Sequence, residues 1–152
     1  MDFDTHYAIK LFFSSPAFVQ VYYEAIANAI DAQADRISIE IRSKRNVQAP
    51  EIEVTICDNG VGLTHDRYDR FKQVKEPKDA QHKGLGRLIY LRYFTEVSVT
   101  SVFEGNKRTF VFSRNFNGKS HLKAAESAEP HGTTLVFRKF RGERIKSYDD
   151  LK

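Results

Sequence analysis

The sequence predicts an α/β (α+β) two-layer sandwich, a mixed and mainly antiparallel sheet with helices on one face. Three observations predict it. A segment with helical apolar spacing comes early, two strand-period segments follow it, and the second half is rich in hairpin turn chemistry. A chain of 152 residues fits one domain with a single core and hardly two, so residues 1–152 are read as one domain.

Ser14, Ser15 and Pro16 read as a helix start, with serine as N-cap and proline in the first turn. The helix should run to about Ala34. At ~100° per residue, Phe18, Val21, Tyr22, Ala25, Ala29 and Ala32 share one face. Glu24, Asn28 and Asp31 share another, within roughly 60° of arc.

Residues 36–41 alternate, with Ile37, Ile39 and Ile41 facing one way. After a polar connection at 44–50, Ile52, Val54 and Ile56 alternate in a second strand. The next residue of that parity is Asp58, which therefore points to the buried side. Asn59 and Gly60 turn the chain, and Gly62 permits another tight step. Residues 65–74 are weakly helical and 75–83 form a charged loop. A helix is expected over 87–94. Strands follow from Glu96, with Val97, Val99 and Ser101 of one parity and a turn at Gly105 and Asn106. A further strand near 120–126 and one over 132–140 complete the sheet, and 146–152 begin a helix or linker.

Composition excludes several classes. The chain carries 24 basic and 20 acidic residues, a formal charge of +4, without the dense basic-aromatic runs of a nucleic-acid binder. Nucleic acid is expected only through a full-length protein. No apolar run reaches the ~18–20 residues of a membrane helix, so no membrane partner is expected. The acidic start (Met1, Asp2, Phe3, Asp4) is unlike a signal peptide, and one cysteine, Cys57, makes neither a disulfide framework nor a metal cluster. A cytoplasmic protein is expected.

A carboxylate on the inward side of a strand is costly unless paired. Asp58 either caps its own turn or accepts a ligand's exocyclic amine in a flat pocket floored by Gly60 and Gly62. On the helix, Asn28 offers a hard oxygen suited to magnesium, Glu24 can take a proton from an attacking water, and Asp31 can fix ordered waters. The same face also fits an ordinary solvated helix. Gly84, Leu85 and Gly86, flanked by Lys83 and Arg87, open a helix whose exposed N–H groups attract phosphate, or form a plain turn. Lys72, Lys75 and Lys78 add positive charge nearby. Thr133, after Gly132, can meet a ring nitrogen or serve strand propensity alone. No Gly-Lys-Ser/Thr phosphate loop, dinucleotide fingerprint, serine-hydrolase elbow or histidine metal spacing occurs.

The order of these motifs is specific. Glu24, Asn28, Asp31 and Ala32, then Asp58, Gly60 and Gly62, then Lys83, Gly84 and Gly86, then Gly132 and Thr133 resembles the GHKL ATPase superfamily from about Phe18 to Phe140. Its members include DNA gyrase B, the ninety-kilodalton heat-shock chaperones, sensor histidine kinases and MutL. The resemblance implies the Bergerat fold, ATP or ADP as ligand and magnesium as cofactor. It implies that Asp58 binds the adenine amine with help from Thr133, that Asn28 ligates magnesium and that Glu24 is the general base. Lys83 to Arg87 would wrap the phosphates within a mobile lid, here short between Gly62 and Gly84. Glu24 with the Asp31-Ala32 ending looks more like gyrase and MutL than the kinases, and no helical hairpin for phosphotransfer is present. The resemblance implies a slow ATPase cut from the N-terminal part of a larger machine. ATP-driven dimerisation or a downstream domain would supply a cation. Histidine-type phosphotransfer and a non-catalytic nucleotide switch are the alternatives.

Overall fold

The structure is a computed structural model describing residues 18–45, 50–73 and 86–141. Helix α1 spans Val19–Asp31, followed by strands β1 (Ile37–Arg45) and β2 (Pro50–Asp58) and helix α2 (His65–Lys72). A 3₁₀ turn, Gly86–Ile89, leads into the short helix α3 (Tyr90–Tyr93). Strands β3 (Phe94–Phe103), β4 (Asn106–Ser113), β5 (His121–Ala124) and β6 (Gly132–Phe140) follow. The helix expected over 87–94 is thus split, and it ends where Phe94 turns extended. The predicted Ser14–Pro16 start and the segment 146–152 lie outside the described residues.

The six strands form one sheet in the order β1-β2-β6-β3-β4-β5, and every described pairing is antiparallel. The closing strand β6 therefore inserts between β2 and β3. Register aligns the strands into transverse rows of common facing. Ile41, Val54, Phe137, Val97 and Phe112 form one row, and Ile39, Ile56, Leu135, Val99 and Phe110 the next. These rows carry most of the sheet's core. On the edge strand β1, Ile39 and Ile41 stay partly exposed, since sheet covers them from one side only.

The helices close over the same face. Phe18, Val21, Tyr22, Ala25, Ala29 and Ala32 are all buried, as the 3.6-residue spacing predicts. Aromatic edges do much of the joining: Phe18 meets Tyr93 at 5.1 Å and Tyr90 meets Phe137 at 4.9 Å between ring centroids. Helix α2 is capped by the Thr64 hydroxyl, which accepts from the Arg67 amide. Its Tyr68 ring lies 4.0 Å from the buried Arg108 guanidinium, pinning the helix to β4.

One further row toward the site, the pattern turns polar. Ile37, Asp58, Thr133, Ser101 and Arg108 stand abreast on β1, β2, β6, β3 and β4. That row ends the apolar core and begins the candidate site.

Candidate functional site

Asp58 keeps the inward parity of Ile52, Val54 and Ile56 and leaves its carboxylate partly buried at the end of β2. Gly60 N donates to Asp58 Oδ1 at 2.8 Å, and the Thr133 amide also bonds the carboxylate. Burial pushes the Asp58 carboxyl upward, and these two N–H groups, with Arg67 and His131, pull it back. Two N–H groups leave further lone pairs of an ionised carboxylate unused. The turn-capping role and the ligand-accepting role are thus compatible.

The loop after Asp58 is held tightly. Asn59 Oδ1 accepts from the Asp35 and Arg36 amides at 3.1 and 2.9 Å, tying the end of β2 to the chain leaving α1. Gly60 packs on the helix end so closely that a Cβ would lie 2.7 Å from the Ala32 carbonyl oxygen, a place only glycine fills. Gly62 follows, buried beside Val102 and Ser101.

Helix α1 brings Glu24 and Asn28 together. Asn28 Nδ2 donates to Glu24 Oε1 at 3.0 Å and lies 3.5 Å from the Tyr90 hydroxyl. A carboxylate only accepts, so this bond fixes which end of the Asn28 amide faces it and turns Oδ1 elsewhere. Burial pushes the Glu24 carboxyl upward, while the Asn28 bond and the Arg87 charge lower it. Asp31 stands exposed one turn on. Arg67 from α2 donates to the carbonyls of Asp31 and Asn28 at 3.0 and 3.3 Å, placing a cation on the negative end of α1.

Gly86 lies against Glu24, where a Cβ would overlap the carboxylate. Arg87, next to Gly86, is buried. It is 6% exposed, its guanidinium stacks over Phe71 at 4.5 Å, and Nη2 donates to the Gln73 carbonyl at 3.3 Å. Burial pulls its pKa down to about 10, with Glu24 opposing, so it stays charged at neutral pH. The phosphate-wrapping role expected of Arg87 thus meets a guanidinium turned into the protein. Lys83, Gly84 and Leu85, with Lys75 and Lys78, lie outside the described residues. Lys72 pairs with Asp69 at 2.7 Å.

Three contributors escaped the sequence reading. Ser101 Oγ accepts from the Leu63 amide at 2.7 Å and reaches Gly132 O and Thr133 Oγ1 at 3.2 and 3.1 Å. Its signal was available, since it is a polar residue of the inward parity of Val97 and Val99. His131 Nδ1 lies 2.6 Å from the Gly60 carbonyl; that oxygen only accepts, so Nδ1 carries the proton. Arg67 gave no signal in a weakly helical, charged stretch.

These features meet at one end of the sheet: an inward Asp at a glycine turn, a Glu–Asn pair on the first helix, and a glycine packed on the Glu. The chain matches, over residues 14–143, the profile described as histidine kinase-, DNA gyrase B-, and HSP90-like ATPase. It belongs to that family. In this GHKL family the chain is an ATP-binding domain. Among solved structures it is similar to the N-terminal domain of a DNA repair protein (TM-score 0.60, 15% identity), covering 90% of this chain and 39% of that one. A likeness to the 43K ATPase domain of Thermus thermophilus gyrase B in complex with an aminocoumarin has TM-score 0.49 and 20% identity. It covers 80% of this chain and 33% of that one. The chain therefore spans well under half the length of these structures. Curated proteins yield no match. No helix among the described residues is long and apolar enough to cross a membrane.

Proposed function

We propose that this chain binds ATP with the adenine amine on Asp58 and hydrolyses it slowly, with Glu24 as general base and Asn28 toward magnesium. The observation that supports it best is Asp58: a partly buried carboxylate held by the Gly60 and Thr133 amides, with lone pairs left for a donor. An exocyclic amine is such a donor. Thr133, directly opposite on β6, assists at the base.

Asn28 fits a magnesium ion. Its Nδ2 is committed to Glu24, its Oδ1 is a hard oxygen, and the residue is exposed. Magnesium beside a nucleotide takes most of its ligands from phosphate and water, so a single amide oxygen suffices as the protein's share. When bound, magnesium neutralises charge on the phosphates. In hydrolysis, Glu24 takes a proton from the water that attacks the γ-phosphorus, and the bond to the bridging oxygen of ADP breaks. Burial works against the ionised, proton-accepting form of Glu24, and the Asn28 bond and the Arg87 charge work for it. Asp31 orders water at the helix end, and the glycine segment 84–86 offers N–H groups to phosphate, with Lys83 beside it.

Turnover in the isolated chain is slow, because stabilising the transferring phosphoryl needs a cation from another domain or a second copy. ATP-dependent dimerisation would provide one, and a cytoplasmic setting would provide the nucleotide. The test is release of inorganic phosphate from ATP with and without magnesium. Slow, magnesium-dependent release into solution is expected. Phosphate appearing on a protein histidine would select the kinase reading, and bound ATP without any release would select the nucleotide switch.

A further inference from the structure

We infer that Ser101 sets the base specificity of the nucleotide pocket: its hydroxyl takes up the Thr133 proton, so that Thr133 faces the base as a hydrogen-bond acceptor. This rests on reading the Asp58 pocket as the adenine site.

The hydrogen bonds of one oxygen, Ser101 Oγ, decide the assignment. Ser101 is fully buried, so its hydroxyl has no bulk water to turn to. A hydroxyl has one proton and two lone pairs. The Leu63 amide only donates, and at 2.7 Å it occupies one lone pair. The Gly132 carbonyl only accepts, and at 3.2 Å it requires the proton. The remaining lone pair faces Thr133 Oγ1 at 3.1 Å, so the proton in that contact comes from Thr133. Were Ser101 to donate to Thr133 instead, its bond to the Gly132 carbonyl would be forfeited.

The consequence lies one strand further on. Thr133 stands between Ser101 and Asp58 in the same row, on the same face of the sheet. With its proton engaged by Ser101, it has only lone pairs left to offer the pocket. The ionised Asp58 carboxylate also only accepts. Two acceptors side by side on β2 and β6 complement an amine, directly or through a water that donates to Thr133. A base with a carbonyl in that place faces repulsion and loses its partner. Ser101 is thus a positioning residue that acts through Thr133.

The experiment titrates ADP and inosine diphosphate, which carries a carbonyl in place of the 6-amine, into the intact chain. The variants are Ser101→Ala, Thr133→Val and the double substitution, each checked for folding by thermal melting. Each single variant should lower the ADP-to-inosine diphosphate affinity ratio by about tenfold, the order of one hydrogen bond. The double variant should lower it no further, since both act through one hydroxyl. Simple damage to the pocket would weaken both nucleotides alike and leave the ratio intact. An unchanged ratio in Thr133→Val overturns the inference even if Ser101→Ala fails to fold, and so do additive effects in the double variant. Wild-type protein that binds neither nucleotide would instead overturn the adenine-site reading on which it rests.

Discussion

Gly86 rests on the carboxylate of Glu24, so that any side chain at position 86 would overlap the carboxylate. The contact joins the start of the 3₁₀ turn to the second turn of α1, and the missing side chain at 86 leaves the space that the Glu24 carboxylate fills. Gly86→Ala should therefore displace the proposed base. Phosphate release should fall by ~10²-fold, at the low end of losses for a misplaced general base. ADP binding measured alongside should change far less.

Removing the base itself gives a cleaner separation. Glu24→Gln keeps an acceptor for Asn28 Nδ2 but cannot take a proton. Turnover should drop by ~10²–10⁴ with nucleotide affinity nearly unchanged. Equal losses of binding and turnover would make Glu24 structural.

The same substitution has a thermal signature. Burial raises the Glu24 carboxyl above its ordinary 4.5 in the folded protein. The folded state therefore disfavours the ionised form, and stability present below the unfolded value is lost as pH rises through the folded one. Glu24→Gln should raise the melting temperature at neutral pH. The gain should fade as pH falls below 4.5, where the group is protonated in the folded and unfolded states alike. Melting curves across that range test the sign.

Arg87 holds the Glu24 carboxyl down by its charge. Arg87→Gln should shift the acid limb of the pH–turnover profile to higher pH, since the base must be ionised to act. Arg87→Lys should restore the limb even if stability stays lower from the lost stacking on Phe71. A limb that does not move in Arg87→Gln would separate Arg87 from Glu24.

Much of this architecture was legible because two short periods govern it. The 3.6-residue period of α1 placed Phe18, Val21, Tyr22, Ala25, Ala29 and Ala32 in the core, and the two-residue period of β2 turned Asp58 inward. What stayed hidden depends on pairing between distant segments. Nothing local says that β6 inserts between β2 and β3, so the meeting of Ser101 with Thr133, 32 residues away, could not be read. The surroundings of Arg87 stayed hidden for the same reason. An arginine after two glycines looks solvated until Glu24 and Phe71 arrive from elsewhere in the chain to surround it.

Asn59 tests whether the site's frame is as tightly tied as its bonds imply. Its amide meets Asp35 and Arg36 through three hydrogen bonds. Asn59→Ala should cost about 1–3 kcal/mol, and thermal melting should show it as a fall of several degrees.

The most direct measurement is calorimetric titration of ADP, with and without magnesium, into the wild-type chain and Asp58→Asn. The wild type should show saturable, magnesium-assisted binding and the variant an affinity about 10–100-fold weaker, the worth of a hydrogen bond to a charged group. Equal affinity in the two proteins would contradict this, because the base would then be held somewhere other than Asp58.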